Sequence, residues 1–154
     1  MPKDRALTKE MHALDEHAIS FITSSDFVVI STFDNEGKIN TSPRGGETGF
    51  VNILNNSTLI IPDARGNNRI DSLLNIIETG KVGCLFFVPN LNETLRVNGT
   101  AKISVDEHHL ALDFGLSSTP KSVIEVTITQ MFLHCSMSLK RSKQKRDKLR
   151  VNKR

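Results

Sequence analysis

The sequence predicts a mainly β protein with some α-helix (α+β), folded as an antiparallel barrel or strongly curled sheet with helices packed outside. Two observations predict it. Most of the predicted strands follow one another through short, hairpin-like links. The regular alternation of strands and helices that a doubly wound parallel sheet requires is absent. The chain has 154 residues and no internal repeat, which suits one domain with a core of its own.

The first 61 residues predict one helix and four short strands. Apolar residues recur at helical spacing over residues 5–22, which favours an amphipathic helix. The β-rich run at residues 27–33 is followed by the loop Asp34-Asn35-Glu36-Gly37, and residues 38–42 return as its hairpin partner. After a glycine-rich passage, two further strands are expected at residues 50–54 and 58–61.

The rest of the chain predicts two helices and three strands. A second helix begins at an asparagine cap, Asn67 or Asn68. The continuous apolar run 82–88 is typical of a central strand covered on both faces. Residues 94–103 alternate between apolar and polar side chains, residues 106–114 favour a short helix, and residues 123–135 form a last long strand.

The charge of the chain is divided between a body and a tail. Residues 139–154 contain nine basic residues and one acidic residue, a net charge of +8, whereas the other 138 residues contain 11 basic and 16 acidic residues, a net charge of −5. We expect residues 143–154 to form a flexible basic tail beyond a domain of residues 1–142. The tail is either a solvated terminus or a weak contact for polyanions such as nucleic acid or an acidic membrane surface.

Several classes of protein are excluded on sequence grounds. No apolar run approaches the roughly 18 residues that a membrane-spanning helix needs, and the first residues lack the apolar region of a signal peptide. We therefore predict a cytoplasmic protein, in which Cys84 and Cys135 are reduced thiols without a disulfide or a metal site. No phosphate-binding loop of the P-loop or Rossmann type is present.

Two histidine-containing pairs are candidates for catalysis or metal binding. The side chains of His108 and His109 would point about 100° apart on a helix, so they are expected to be surface residues and not ligands of one metal. His134 and Cys135 would lie on opposite faces of a strand and could not form a hydrogen-bonded dyad. A structural histidine beside a small buried cysteine is the expected arrangement.

Signals for anion binding lie near predicted strand ends. Arg65 and Arg69 flank a Gly-Asn-Asn helix start, where free N–H groups and the positive end of the helix dipole favour a phosphate. Asp71 is evidence against a phosphate site, because a carboxylate in the first turn could satisfy the helix dipole by itself. Two further arginines, Arg44 and Arg96, follow or lie within predicted strands, which suggests one shared site.

Four blocks of sequence resemble the pyridoxamine 5′-phosphate oxidase-related, FMN-binding family, in particular its small members of unassigned substrate. The blocks are TSPRG at 41–45, IPD with GNNRIDSL between 61 and 73, ETLRVNG at 93–99 and FLHC at 132–135. The resemblance implies a split β-barrel, a homodimer and an FMN cofactor held in a cleft between the subunits. The cofactor contacts that it implies are Ser42, Arg44, Asp63, Asn67, Asn68, Arg69, Ser72, Thr94 and Arg96.

The leading hypothesis is an FMN-dependent oxidoreductase acting on an unknown small molecule, without an assigned catalytic side chain. The flavin would supply the redox chemistry and the protein its binding and orientation. One alternative is a non-catalytic flavin- or anion-binding module. A second alternative is a nucleic-acid-binding protein that uses the basic tail. A deazaflavin or haem in place of FMN also stays open.

Overall fold

The computed structural model describes residues 8–63 and 70–135, and this part of the chain forms eight strands and three helices. The elements in chain order are β1 (Thr8–Met11), α1 (Glu16–Ser24), β2 (Phe27–Phe33), β3 (Ile39–Gly45), β4 (Asn52–Asn55), β5 (Thr58–Pro62), α2 (Ile70–Thr79), β6 (Lys81–Phe87), β7 (Glu93–Ser104), α3 (Glu107–Leu110) and β8 (Val123–Cys135).

All of the strands join one antiparallel sheet, as the sequence predicts. Its order is β3-β2-β6-β7-β8-β5-β4, and β1 pairs with β8 off this path. The long strand β8 has β7 along one edge, while its other edge pairs with β5 in the first half and with β1 in the second half. The second edge of β8 therefore divides between two partners, and the sheet splits at this strand.

One face of this curled sheet encloses the core. Strand residues such as Val28, Ile30, Phe86 and Leu95 are fully buried there, together with Ile22 of α1 and Ile76 of α2. We call this the inner face, and the opposite side of the sheet the outer face. Side chains on the outer face of β6 are only half-buried in the chain. The prediction that this strand is covered on both faces is therefore wrong for a single subunit.

The predicted helix at residues 5–22 is wrong in its first half. Residues 8–11 form β1, which pairs antiparallel with residues 131–134 of β8. The helix begins only after Asp15, whose carboxylate accepts a hydrogen bond from the Ala18 N–H at 2.8 Å. Pairing with a strand about 120 residues away outweighs the local helical pattern. Sequence periodicity cannot detect such a long-range pairing.

The other elements differ from prediction mainly in their bounds. Gly37 adopts φ +83° in the β2–β3 turn, as expected, and Asp34 accepts hydrogen bonds from the N–H groups of Glu36 and Lys38. Strand β3 continues to Gly45, three residues beyond its predicted end. Helix α3 is only four residues long, because Phe114 turns inward to pack with Ile60 and Val123 in a second small core. The predicted start of α2 at Asn67 or Asn68 lies outside the described residues.

Within the described residues, no helix combines the length and the apolar character needed to cross a membrane.

Candidate functional site

Strand β3 directs polar side chains toward the inner face. Ser42 pairs with Ile30 and Arg44 pairs with Val28, and directly paired residues point to the same side of an antiparallel sheet. Ile30 and Val28 are core residues with no exposed surface. The hydroxyl of Ser42 and the guanidinium of Arg44 are therefore directed inward, although arginine is usually a surface residue.

The buried side chain of Arg44 contacts Asp63, the residue that follows β5. Its side chain is 1% exposed, and its Nη1 lies 3.7 Å from Oδ1 of Asp63. The N–H of Asp63 donates to the Ser122 carbonyl at 3.0 Å, and the Ser122 hydroxyl donates to Oδ2 of Asp63 at 3.2 Å. A buried cation needs an opposite charge to offset the loss of its hydration. Asp63 supplies such a charge at the last described residue before α2.

Helix α2 completes this polar region. Ser72 is fully buried, and its hydroxyl lies 3.3 Å from the hydroxyl of Ser42. One turn later, Nδ2 of Asn75 donates to the Thr32 hydroxyl on β2 at 3.1 Å. These contacts fix the first two turns of α2 against β2 and β3. We call Ser42, Arg44, Asp63, Ser72 and Ser122 the inner polar cluster.

Thr94 and Arg96 lie on the other side of the sheet. Their strand β7 alternates, with Leu95 and Val97 in the core and Thr94 and Arg96 on the outer face. Thr94 pairs with Phe87 on one side and His134 on the other. The guanidinium carbon of Arg96 lies 4.3 Å from the centre of the Phe132 ring, a cation–π geometry.

Aromatic rings extend this outer surface in both directions. The rings of Phe27 and Phe87 are 5.7 Å apart, and those of Phe132 and His134 are 6.4 Å apart and nearly parallel. Burial, together with the positive charge of Arg96, lowers the pKa of His134. The imidazole is therefore neutral at neutral pH. We call this surface the aromatic outer patch; it comprises Phe27, Phe87, Thr94, Arg96, Phe132 and His134.

The nine predicted contact residues fall into three sets. Ser42, Arg44, Asp63 and Ser72 come together in the inner polar cluster. Thr94 and Arg96 are three strand intervals away from β3, about 14 Å at the usual strand spacing, and on the opposite face. Asn67, Asn68 and Arg69 lie outside the described residues, in a segment bounded by Asp63 and the first residue of α2. One subunit does not bring the described contacts into one pocket.

The thiol and metal hypotheses can be assessed over part of the chain. Cys84 lies in the core, and burial raises the pKa of its thiol to about 12, so that it stays protonated. Among the described residues no group of three potential ligands could hold a metal ion. His108 is exposed as predicted, whereas the side chain of His109 is only 17% exposed and its Nδ1 lies 3.1 Å from the Ser104 hydroxyl. The side chain of Cys135 lies outside the described set, so the dyad with His134 is not tested.

Sequence reasoning missed Ser122 and the aromatic residues of the outer patch. Alternation along β8 places Phe132 and His134 on one face, and this pattern was available in the sequence. Their approach to Thr94 and Arg96 depends on the register between β7 and β8, which the sequence does not encode locally. Ser122 precedes a strand and has no distinguishing pattern of its own.

Comparisons with known proteins agree on one family and one fold. The family model described as pyridoxamine 5′-phosphate oxidase matches residues 14–135. No curated protein matches the chain. Solved structures share the split-barrel fold, and three of them illustrate the range.

The HupZ protein of Group A Streptococcus has a TM-score of 0.62 and 18% identity over 77% of this chain and 92% of that one. The FAD binding protein of Mycobacterium smegmatis has a TM-score of 0.54 and 17% identity over 80% of this chain and 97% of that one. A protein described as F420 reductase has a TM-score of 0.56 and 17% identity over 77% and 98% of the two chains. At these identities the likeness extends to the fold alone.

Proposed function

The chain belongs to the pyridoxamine 5′-phosphate oxidase family, and we propose that it is an FMN-dependent oxidoreductase that acts on a small molecule. The observation that supports this most directly is the extent of the family match. Residues 14–135 include every described candidate residue, in the inner polar cluster and in the aromatic outer patch. The substrate and the electron donor are not part of the proposal.

The residue types suit the three parts of FMN. A flat aromatic ring system can stack on the aromatic outer patch, where Arg96 and the Thr94 hydroxyl also offer hydrogen bonds. A phosphate can bind near the start of α2, where Asn67, Asn68 and Arg69 precede the helix. Ser42 offers a hydroxyl group for the polyhydroxyl chain between them, and the buried Ser72 hydroxyl, 3.3 Å away, would orient it. The bound flavin would supply hydride transfer at its N5 atom.

Arg44 has a different role in this proposal. Its guanidinium is 1% exposed and faces Asp63, so it is poorly placed to touch a ligand at the surface. It would hold Asp63, the last described residue before α2, in position. We therefore assign Arg44, Asp63 and the fully buried Ser72 as positioning residues, and Ser42, Thr94, Arg96 and the 67–69 stretch as contacts.

We propose a homodimer, because it would bring these separated groups to one ligand. The inner polar cluster and the aromatic outer patch lie on different faces of one subunit. If two outer faces pack together, the edge strand β3 of one subunit can lie beside the aromatic outer patch of the other, and residues of both subunits then line one cleft. Large apolar side chains are available for this packing, because Phe27 and Phe33 are 38% and 39% exposed. Each cleft would then contain Thr94 and Arg96 of one chain and the α2 start of the other.

The decisive experiment is to identify the cofactor. The purified protein should be yellow, and the flavin released by mild denaturation should co-migrate with FMN at about one equivalent per subunit. The descriptions of two structural relatives name FAD and F420. These two cofactors are therefore included as chromatographic standards, together with haem. A colourless protein that does not take up added FMN contradicts the proposal.

Turnover separates an enzyme from a passive flavin binder. The flavin of an oxidoreductase should be reduced by NAD(P)H under anaerobic conditions and reoxidised by an acceptor in repeated cycles. Reduction without a second turnover, over a panel of acceptors, would favour the non-catalytic module. In either case the bound cofactor is already known from the first experiment.

Arg69→Ala should weaken FMN binding by about 1.5–3 kcal/mol, the usual value for one charge-assisted hydrogen bond. The measurement is a fluorescence titration of apoprotein with FMN. Lys102→Ala is the matched control, since Lys102 is 73% exposed on β7 and outside the proposed site. Equal affinities of the two variants would remove Arg69 from the phosphate site.

A further inference from the structure

An apolar stripe on α2 faces solvent. Ile70, Leu74 and Ile77 recur at i, i+4 and i+7, and they are 68%, 55% and 69% exposed. Across from them, Ile39 at the start of β3 is 71% exposed. A groove of about 790 Å³ runs between α2 and β3, and we call it the β3–α2 groove. Clustered exposed aliphatic side chains of this size usually mark a surface that another segment covers.

The groove has two further properties that restrict its occupant. Acidic side chains outnumber basic ones in its lining, with Asp34, Asp71 and Glu78 against Lys38. In addition, β3 has a neighbouring strand on one side only in the described sheet, so its other edge faces the groove. An occupant should therefore be positively charged, partly aliphatic and able to lie along a strand edge.

The chain itself contains a segment with these properties. Residues 139–154 have a net charge of +8 and include the aliphatic residues Leu139, Leu149 and Val151. We propose that the chain's own C-terminal segment, residues 136–154, lies in the β3–α2 groove. Its lysines and arginines face Asp71 and Glu78, and its aliphatic residues cover the stripe of α2.

The segment is long enough to reach the groove within one subunit. It leaves from Cys135, beside the row of paired residues that contains Thr94 and Phe27. From Cys135 on β8, the start of β3 is four strand intervals across the sheet and six residues along the strands. This corresponds to a path of about 30 Å. The 19 residues from 136 to 154 span up to about 60 Å when extended. About half of that length is enough to arrive, and the remainder can lie along the groove.

A contact between tail and groove would explain why the tail and the body carry opposite charges. The body has a net charge of −5, and three of its acidic residues line one groove. A tail held there by charge is released when salt screens the attraction, because the screening length falls from about 10 Å at 0.1 M to about 3 Å at 1 M. A polyanion would have to compete with the groove for the same lysines and arginines.

Chemical cross-linking of the full-length protein tests the contact directly. A zero-length carbodiimide joins carboxylates to lysine amines that touch. Peptide mapping should find Glu78 or Asp71 joined to Lys143, Lys145 or Lys148 at low salt, and should find these links lost at about 1 M NaCl. Glu107, an exposed acid on α3, is the control site and should give no such link. Links distributed equally over Glu107 and Glu78 would overturn the proposal.

An isotope-mixed sample decides whether the tail acts within its own subunit. Unlabelled and ¹⁵N-labelled proteins are unfolded, mixed, refolded and cross-linked at low salt. Links within one subunit join peptides of the same isotope only, whereas a tail donated by a second copy gives mixed pairs at half of the total. Mixed pairs would overturn the intramolecular contact and assign the groove to a partner's tail.

Hydrogen exchange of full-length variants tests the energetic consequence. Asp71→Asn with Glu78→Gln should speed amide exchange in α2 and β3 by about threefold to tenfold, the effect of losing two exposed ion pairs. Replacing Lys145, Arg146, Lys148 and Arg150 by glutamine should do the same, while Glu107→Gln should change neither element. If neither charge variant alters exchange in α2 or β3, the groove is not occupied by the tail. The flavin content is measured on each variant, so that loss of the proposed cofactor can be recognised separately.

Discussion

Arg44 has the largest fully buried side chain of the described protein, and its guanidinium is paired with the Asp63 carboxylate. Replacing Arg44 with methionine should lower the free energy of unfolding by about 3 kcal/mol. This is the low end for breaking a buried pair, because Asp63 remains partly exposed and can be hydrated. Urea unfolding of the variant measures the loss.

Lys102→Met is the matched control for that substitution. Lys102 lies 3.6 Å from Glu125 but is 73% exposed, so losing this pair should cost less than about 1 kcal/mol. Similar losses for the two variants would mean that Arg44 does not depend on Asp63. Loss of flavin from the Arg44 variant under conditions where it stays folded would support its positioning role.

The thiol of Cys84 gives the protein a pH dependence at the alkaline end. In the folded state burial raises its pKa from an ordinary value of 9.0 to about 12. Between these values the unfolded thiol loses its proton and the folded thiol keeps it, so the unfolded state binds fewer protons and stability falls with rising pH. The expected contribution is about 1.4 kcal/mol per pH unit above pH 9.

Cys84→Ala should remove this contribution. The free energy of unfolding is compared between the Cys84→Ala variant and the protein that keeps Cys84, both carrying Cys135→Ser, over a pH range of about 8 to 10. Below pH 9 the two proteins should differ by a constant amount, and above it the difference should shrink. Parallel pH profiles across the whole range would show that the thiol titrates alike in both states.

At the scale of elements, Gly99 allows β7 and β8 to approach each other. The register shifts between Asn98 and Gly99, and a Cβ atom at Gly99 would overlap the carbonyl oxygen of Thr127 on β8. Since the obstacle is backbone, it cannot move aside cheaply. Gly99→Ala should lower the free energy of unfolding by about 2–3 kcal/mol, as overpacking does.

Gly83→Ala is the control, because Gly83 lies on the adjacent strand and pairs with Asn98. A Cβ atom there would be 3.5 Å from Oδ1 of Asn98, an ordinary contact. Thermal unfolding of both variants should show a clear loss for residue 99 and little change for residue 83. The reverse order would mean that the register of β7 on β8 is not as described.

Strands with strong local patterns could be predicted well. Strands β2 and β8 have the predicted bounds. Both are runs of β-branched and aromatic residues; in β2 the run is bounded by turn residues, and in β8 it is long enough to indicate a strand by itself. Strand β1 could not be predicted, since it is defined by its pairing with β8 and its four residues also fit a helix. The half-covered face of β6 likewise depends on its neighbours in the sheet.

The candidate site was predictable in its residue types and not in its arrangement. Alternation alone put Thr94 and Arg96 on the face of β7 opposite Leu95 and Val97; the structure agrees on this direction, but Thr94 is buried there. The inward direction of Arg44 depends on its pairing with Val28, and a rule that places arginine at the surface gives the opposite answer. The partnership of Asp63 with Ser122 joins residues 59 positions apart, so no local pattern could reveal it.

In the assembled protein, the outer face determines whether the proposed cleft can form. Val29 lies on this face in β2, paired with Pro43 on one side and Leu85 on the other. It is half-buried in one subunit and would be covered in a dimer that packs outer face to outer face. A glutamate there would place an uncompensated charge in that interface, which costs several kcal/mol.

Val29→Glu should therefore weaken dimerisation by about 100-fold, equivalent to roughly 3 kcal/mol, and lose most of the bound flavin. Sedimentation velocity over a range of concentrations measures the first effect, and flavin absorbance measures the second. Leu54→Glu is the control, because Leu54 is 44% exposed on β4, at the opposite end of the sheet order. The proposed interface predicts that both properties are lost together in Val29→Glu and retained in Leu54→Glu. A monomeric variant with a full complement of flavin would instead mean that one subunit holds the cofactor alone, with the aromatic outer patch taking no part.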